Sequence, residues 1–233
     1  MKSSNRICAS IGRESIDATL AVADSIASQV DVLEIRLDYL KVPAVSPFVN
    51  TLKTSLLFTN RPSWEGGEFT GKEDQRIAPL LEAITENSAY VDLELLAPDE
   101  SHRRMRLARK ESRTKLILSW HNFKETPSRE ELVGRMALMQ DKGADIGKII
   151  TTARTHQEVM RVLRLQEVAE QLHFPLIAFC MGRAGVVSRV ATCGLGGYMT
   201  YCGVSEEEAT APGQLSVRAL REIYSLMGYS TWP

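Results

Sequence analysis

The chain has 233 residues, of which 44% are hydrophobic and 24% are charged, and these values are close to the averages for globular proteins. This composition excludes a disordered or fibrous protein, and the length suits a single α/β barrel better than two separate domains. The 28 Lys and Arg residues are balanced by 29 Asp and Glu residues, which argues against a general nucleic-acid binder.

No segment of the sequence indicates export or membrane insertion. The N-terminal residues 1–6 are polar, and the apolar stretch Ile7–Ile11 is too short for the core of a signal peptide. No apolar run approaches the roughly 20 residues that a membrane span needs. The four cysteines form no Cys-x-x-Cys pair and are typical of reduced thiols. We therefore expect a cytoplasmic protein.

Short apolar runs recur along the whole chain and predict eight strands that are buried on both faces. In chain order they are Arg6–Ile11, Val32–Leu37, Ser55–Thr59, Tyr90–Leu95, Lys115–Trp120, Asp145–Ile150, Leu176–Cys180 and Tyr198–Gly203. Segments of helical period lie between them and predict helices over Ser15–Gln29, Glu73–Glu86, Asp99–Ser112, Ser128–Asp141, Thr155–Leu172 and Gly213–Met227. The segments after the second and seventh strands are shorter.

This regular alternation of strand and helix implies parallel strands joined by right-handed crossovers. Eight such units in this length fit a closed (β/α)₈ barrel better than an open sheet. No linker divides the chain, so we expect one catalytic barrel domain over residues 1–233, with no room for a second fused enzyme.

The active site of such a barrel lies at the carboxyl ends of its strands, and those positions are polar here. They hold Ser10, Glu34, Arg36, Arg61, Asp92, Glu94, Ser119, His121 and Lys148. Residues two apart on a strand share a face, and an ionisable side chain is tolerated better in a wet pocket than under a helix. The sequence therefore predicts one pocket that contains a lysine, a histidine, carboxylates and several arginines.

Lys148 and His121 carry most of the predicted chemistry. Lys148 lies in mid-strand among apolar residues, where burial and nearby cations favour a free amine that can attack a carbonyl. A lysine that extends its amine from a strand end into solvent is the alternative. His121 lies at a strand end and suits proton transfer near neutral pH, and Glu94 or Asp92 is expected to orient its ring.

The same residues resemble the type I 3-dehydroquinase family. The resemblance rests on Glu34-Ile-Arg-Leu-Asp38, Thr59-Asn-Arg61 with Glu65-Gly-Gly67, Val91-Asp-Leu-Glu-Leu95, Ser119-Trp-His-Asn-Phe123, Gly143-Ala-Asp-Ile-Gly-Lys148, Ser188-Arg189 and Ala211-Pro-Gly-Gln214. These seven groups occur in the family's order and cover nearly the whole chain.

The resemblance implies dehydration of 3-dehydroquinate to 3-dehydroshikimate in the shikimate pathway. Lys148 would form an imine with the substrate ketone, His121 would be the general acid/base, and Glu94 would hold His121 in place. Arg189 would bind the substrate carboxylate. Further binding residues would be Ser10, Glu34, Ile35, Arg36, Arg61, Thr210 and Gln214, with Phe179, Met181 and Tyr201 as apolar walls.

The resemblance also implies that no metal or organic cofactor is needed, because the lysine imine is the electron sink. It further suggests a homodimer.

Three alternatives stay open. Another Schiff-base barrel, such as a class I aldolase, would use Lys148. A metal-dependent barrel would use Asp92, Glu94 and His121 as ligands. A binding or regulatory barrel would keep the pocket without the reaction.

Overall fold

A computed structural model describes residues 6–205 and 213–229. In these residues the eight predicted strands form one parallel sheet, and each predicted strand agrees with the structure to within two residues. The strands are β1 Ile7–Ile11, β2 Val32–Arg36, β3 Ser55–Thr59, β4 Tyr90–Glu94, β5 Lys115–Asn122, β6 Ile146–Thr152, β7 Leu176–Met181 and β8 Thr200–Gly203. Their order in the sheet is β7-β6-β5-β4-β3-β2-β1-β8.

The helices are α1 Ile16–Ile26, α2 Ser46–Thr51, α3 Glu73–Thr85, α4 Asp99–Ala108, α5 Arg129–Asp141, α6 His156–Leu163, α7 Leu165–Gln171, α8 Val186–Gly194 and α9 Val217–Leu226. Two predicted helices were wrong in extent. The expected helix over Thr155–Leu172 is divided at Arg164 into α6 and α7. The last helix begins at Val217 rather than near Gly213, because the Ser216 hydroxyl caps it by accepting from Ala219 N.

The sheet closes into a barrel because β1 pairs with both β2 and β8. The seam between β7 and β8 is joined by the backbone of Tyr198, whose N–H donates to Leu176 O at 2.9 Å. A side chain of α8 covers the same seam, since Thr192 Oγ1 donates to Ala178 O at 2.8 Å. The predicted (β/α)₈ barrel is therefore confirmed, with a nearly closed sheet.

Alternate strand residues enter two separate cores, as the period of two requires. Residues such as Leu33, Val91 and Leu118 face outward and pack under the helices. Residues such as Val32 and Ile117 face inward and fill the barrel below the carboxyl ends of the strands. The polar residues share the inward face, which directs their side chains into the barrel mouth.

Across the described ranges 6–205 and 213–229, no helix is both long and apolar enough to cross a membrane. The expectation of a single domain over the whole of residues 1–233 stays a prediction.

Candidate active site

A pocket opens at the carboxyl ends of the strands and contains about 640 Å³ of space free of atoms, the open mouth included. Its lining residues are Glu34, Arg36, Thr59, Arg61, Glu65, Gly66, His121, Phe123, Lys148, Ile150, Phe179, Met181, Arg189, Tyr201 and Gln214. Ten of these fifteen are residues that the sequence predicted for the site. A pocket of this size and polarity suits a small polar molecule.

Lys148 lies on β6 in the middle of the pocket wall and is 4% exposed. Its Nζ donates to Asp92 Oδ2 at 3.1 Å and lies 3.9 Å from Glu34 Oε1. The ring of Tyr201 lies on another side, with its centroid 4.2 Å from Nζ. The amine is therefore fixed by a carboxylate and an aromatic ring, within reach of a ligand in the pocket.

His121 lies two residues beyond Ser119, the register partner of Lys148 on β5. Its Nδ1 is 2.9 Å from Glu65 Oε2, and its ring stacks on Phe123 with an interplanar angle of 17°. Burial, together with Arg61 and Lys148, lowers the pKa of His121 well below its ordinary value. The imidazole is therefore neutral at neutral pH, as a general base must be.

The carboxylate beside His121 comes from the loop after β3, and the backbone of this loop has a special conformation. Gly66 adopts φ +75°, and a Cβ at this position would lie 2.4 Å from Phe123 Cζ. The glycine therefore allows Phe123 to approach closely and to stack on His121. Burial raises the pKa of Glu65 to about 8, although Arg61 opposes this shift.

The orienting carboxylate was predicted wrongly, because Glu94 does not occupy this position. Glu94 accepts from Arg61 Nη1 at 2.6 Å and from Arg76 Nη1 at 2.5 Å, so arginines hold both of its oxygens. Asp92 also differs from the expectation, since it accepts from Ser119 Oγ at 2.6 Å and from Lys148. The structure thus brings Glu65 to His121 in place of either predicted residue.

Arg61 joins these carboxylates into one network. Its Nη2 lies 2.8 Å from Asp92 Oδ1, and its Nη1 also donates to Ser119 Oγ at 2.7 Å. Burial alone would raise the pKa of Asp92, but Arg61 and Lys148 outweigh it and lower this pKa below its ordinary value. Asp92 is therefore an anion that fixes the Lys148 amine.

Other predicted binding residues form the remaining walls. Arg36 donates two hydrogen bonds to Asp38, at 2.9 and 2.6 Å, and Thr59 Oγ1 donates to Glu34 Oε1 at 2.8 Å. The Arg189 guanidinium lies 4.7 Å from the Phe179 ring centroid. Burial lowers the pKa of Arg189 to about 10, so this side chain is still a cation at neutral pH.

Two predicted binding residues do not line the pocket, and a third lies outside the described residues. Ile35 is wrong, because it faces outward and is buried in the core under the helices. Ser10 faces inward, but its buried hydroxyl lies behind the pocket lining and has no hydrogen-bond partner in the ranges 6–205 and 213–229. Thr210 lies outside the described residues.

The sequence reasoning missed five lining residues. They are Thr59, Glu65, Gly66, Phe123 and Ile150. Thr59, Phe123 and Glu65-Gly66 stand in groups that carried the family resemblance, and this was the available signal for them. Strand parity gave no signal for Glu65, because a loop residue has no fixed face.

The metal-dependent alternative lacks a ligand set among the described residues. Among the residues that the structure describes, no three His, Cys, Asp or Glu side chains are arranged to hold a metal ion. The two carboxylates that this alternative needs, Asp92 and Glu94, already face Arg61, Lys148 and Arg76.

Comparisons with known proteins agree with this geometry. The family model of type I 3-dehydroquinase matches residues 7–231. A 3-dehydroquinate dehydratase from Desulfotalea psychrophila is 49% identical over 222 residues, which cover 95% of this chain and 98% of that protein. The bifunctional 3-dehydroquinate dehydratase/shikimate dehydrogenase of Arabidopsis thaliana chloroplasts is 34% identical over 97% of this chain, which spans 38% of that longer protein.

A solved structure is similar as well. The type I 3-dehydroquinate dehydratase of Clostridium difficile, solved with covalently modified comenic acid, has a TM-score of 0.86 and 26% sequence identity. The similarity covers 98% of this chain and 94% of that one. A family model that spans nearly the whole sequence and a near-complete relative at almost half identity point to one conclusion: this chain belongs to the type I 3-dehydroquinase family.

Proposed function

We propose that this protein dehydrates 3-dehydroquinate to 3-dehydroshikimate through an imine between the substrate ketone and Lys148. The observation that carries the proposal is the placement of a buried amine and a neutral, carboxylate-paired imidazole in one pocket of a type I 3-dehydroquinase fold. Such a pair is what an elimination next to a carbonyl requires, because one group makes the electron sink and the other moves the proton.

The reaction begins at Lys148. Its amine lies 3.1 Å from Asp92 and 3.9 Å from Glu34, and it must be unprotonated to attack, so a base in the pocket takes its proton. The free amine then attacks the ketone carbon, and loss of water leaves the iminium. This cation withdraws electrons more strongly than the ketone and makes the neighbouring C–H bond more acidic. Lys148 is thus the electron sink, and the chemistry needs no metal or organic cofactor.

His121 completes the elimination. Its neutral imidazole removes the α-proton, and the C–H electrons enter the iminium to give an enamine. The imidazolium then protonates the β-hydroxyl, which leaves as water when the enamine electrons return. Water hydrolyses the conjugated iminium, releases the enone and frees Lys148. Glu65 orients the ring and stabilises the imidazolium between the two steps, a role that the sequence had given to Glu94.

The remaining walls suit the substrate's other groups. Arg189 binds the carboxylate, since it is a buried cation on the wall that Phe179 also forms. Glu34, Arg36, Arg61 and Gln214 bind the hydroxyl groups, and Phe179, Met181 and Tyr201 contact the carbon ring. We also propose Thr210, four residues before Gln214 in the sequence, as a binding residue. A class I aldolase would share Lys148 but would leave this set of arginines and carboxylates unexplained.

Borohydride trapping tests the imine directly. With 3-dehydroquinate and borohydride, mass spectrometry is expected to show an adduct on Lys148 and on no other lysine. Lys148→Ala should fold, bind substrate and lose turnover by about a thousandfold or more. Lys124→Ala, which changes an exposed lysine at the end of β5, is the matched control and should keep both adduct and turnover.

Three results would contradict the proposal. A Lys148→Ala variant that keeps most of its turnover would exclude the imine. Folded wild-type protein that binds 3-dehydroquinate without forming a conjugated enone would favour the binding barrel instead. Turnover that EDTA abolishes and added metal restores would favour the metal alternative. Formation of the enone is followed by ultraviolet absorbance.

We further propose that the protein acts in the cytoplasm as a homodimer and that it binds no nucleic acid. The family resemblance supports the homodimer, and the near-zero net charge of −1 supports the absence of nucleic-acid binding. Analytical ultracentrifugation tests the dimer, and a sedimentation coefficient of a monomer at micromolar concentration would contradict it.

A further inference from the structure

Arg76 is an arginine that lies outside the pocket and yet is almost completely buried. It is on α3, is 1% exposed, and is one of the two largest fully buried side chains among the described residues. Its Nη1 donates to Glu94 Oε2 at 2.5 Å, while Nε and Nη2 donate to the Glu73 carboxylate at 2.8 and 2.9 Å. The guanidinium therefore connects the helix layer to the end of β4.

Arg76 reaches the pocket by two routes, and both end at Arg61. In the first, Glu94 uses its other oxygen, Oε1, to accept from Arg61 Nη1 at 2.6 Å. In the second, Arg76 holds the residue before Arg61, since its Nη1 donates to Asn60 O at 3.1 Å and its own carbonyl accepts from Asn60 Nδ2 at 2.8 Å. Both the backbone and the side chain of Arg61 are thus fixed from α3.

The charges explain why a cation is needed behind Glu94. Arg61 lies 2.8 Å from Asp92, 2.6 Å from Glu94 and 3.7 Å from Glu65. One guanidinium carries a single positive charge and cannot by itself neutralise both Asp92 and Glu94. Arg76 supplies a second positive charge on the far side of Glu94, so that Arg61 can also bind Asp92 and Ser119. An ion pair this deeply buried is a weak source of stability, because desolvation opposes it, and a role in positioning accounts for it better.

We propose that Arg76 is a positioning residue for the dehydration, which holds the Glu94 carboxylate and through it fixes Arg61 against Asp92, the partner of Lys148. The inference rests on the proposed function of the pocket. It assigns to α3 a share in the geometry of the reacting lysine, although no atom of Arg76 lines the pocket.

The consequence of losing Arg76 follows from the groups around Glu94. The charged groups that face Glu94 are Arg61, Arg76, Asp92 and Glu65, and Glu73 and His102 lie beside Arg76. Burial raises the pKa of Glu94 above its ordinary value, and Arg61 and Arg76 act against this shift. Without Arg76 the pKa of Glu94 should rise further, because one of the two cations that oppose the effect of burial is gone. A protonated Glu94 no longer holds Arg61.

The experiment compares the pH profiles of kcat in four variants. Arg76→Met removes the cation, Arg76→Lys keeps the charge, and the double variant Arg76→Met/Glu94→Gln removes the carboxylate as well. Arg104→Met is the control, because Arg104 forms an exposed ion pair with Asp74 of α3 at 2.7 Å, away from the pocket. KM is measured with kcat at each pH.

Arg76→Met is expected to lower kcat at neutral pH by about 10- to 100-fold, since a small displacement of a reacting group has effects of this size. Activity depends on ionised Glu94, so the acid limb of its profile should shift to higher pH and part of the activity should return at alkaline pH. Arg76→Lys should restore most of the wild-type profile. The double variant should lose the shift, because the titrating carboxylate is gone. Arg104→Met should resemble wild type.

A purely structural role for Arg76 would lower the yield or stability of Arg76→Met without moving its pH profile, and this outcome overturns the proposal. A shift that persists in the double variant also overturns it. If the wild-type protein does not dehydrate 3-dehydroquinate, the proposed function fails, but carboxyl NMR still decides the inference. The Glu94 resonance, assigned by its loss in Glu94→Gln, must titrate at higher pH in Arg76→Met; an unchanged midpoint overturns the positioning role.

Discussion

Of the three buried carboxyl groups beside Arg61, Glu65 on the pocket side and Glu94 on the helix side have different surroundings. On the helix side, both oxygens of Glu94 accept from arginines, at 2.6 and 2.5 Å. On the pocket side, Glu65 lies 3.7 Å from Arg61, and its Oε2 faces His121 at 2.9 Å. Its Oε1 has no hydrogen-bond partner in the part of the chain that the structure describes.

The difference shows that Arg61 has two roles: it binds Glu94 in the buried ion-pair network, and it lies beside Glu65, the partner of His121. Both oxygens of Glu94 accept from guanidinium groups, so Glu94 is suited to hold Arg61. A buried carboxyl with a weak cation contact retains its proton more easily, and the pKa of Glu65 is raised to about 8. The pKa of His121 is lowered at the same time, so a proton shared by the pair lies on Glu65 rather than on the imidazole.

The largest expected effect is a difference in stability: loss of Glu94 should lower the free energy of unfolding more than loss of Glu65. Glu94→Ala should lower the free energy of unfolding by about 3–5 kcal/mol, because it leaves buried Arg76 without its partner on β4. Glu65→Ala should cost about 1 kcal/mol, since Arg61 keeps both Asp92 and Glu94. Urea denaturation at pH 7 measures both values.

The loss of turnover should not follow the loss of stability. Glu65→Ala is expected to lose at least about 100-fold in kcat while it remains folded, because His121 loses its orienting carboxylate. If the two variants were equally unstable, or if Glu65→Ala turned over normally, the distinction between the pocket side and the helix side would be wrong.

The second effect is the pH dependence of stability that Glu65 contributes. Burial raises its pKa from 4.5 to about 8 in the folded protein, so the folded state keeps a proton that the unfolded chain has lost. The free energy of unfolding should therefore fall as pH rises from about 4.5 to 8, by at most about 1.4 kcal/mol per pH unit. In Glu65→Gln the free energy of unfolding should fall less over this pH range, by a few kcal/mol.

The control is Glu68→Gln, which changes an exposed carboxylate three residues further along the same loop. Its side chain is in water in the folded and the unfolded protein, so the slope should stay as in wild type. Urea midpoints measured at half-unit steps from pH 5 to 8.5 give the comparison. A Glu65→Gln variant with an unchanged slope would show that Glu65 is ionised throughout this range.

Most of the fold could be predicted from the sequence because its strongest signal is periodic. Strands buried on both faces give apolar runs, and strand parity then places Glu34, Lys148 and His121 on one inward face. The division at Arg164 was not predictable from the periodicity, because α6 and α7 are separated by a single residue and keep a continuous helical pattern.

The pairing inside the site could not be derived in the same way. Strand parity correctly predicted that Glu94 faces inward, but it does not predict which cation binds the Glu94 carboxylate. Arg76 is one charged residue among several on an amphipathic helix, and only the packing of α3 brings it to β4. His102 of α4 shows the same difficulty: nothing in the helical pattern marks it as a core residue, yet it is buried and its pKa is lowered to about 4 by burial.

 His102 Nε2 donates to Leu95 O at 3.2 Å. Side-chain partners across layers depend on packing, which a periodic pattern does not encode.

The smallest expected effect tests whether the positioning network of Arg76 extends to α4. Ser101 of α4 is buried, and its Oγ donates to Glu73 Oε1 at 2.6 Å, behind the two hydrogen bonds from Arg76. Ser101→Ala should lower the free energy of unfolding by about 1–2 kcal/mol, since one hydrogen bond to a charged acceptor is lost. The pH profile of kcat should stay as in wild type, because Arg76 still binds both Glu73 and Glu94. Ser46→Ala is the matched control, as it removes a solvent-exposed hydrogen bond of 3.3 Å to Glu82 and should change neither quantity. A shifted pH profile in Ser101→Ala would extend the positioning network beyond Arg76 to α4.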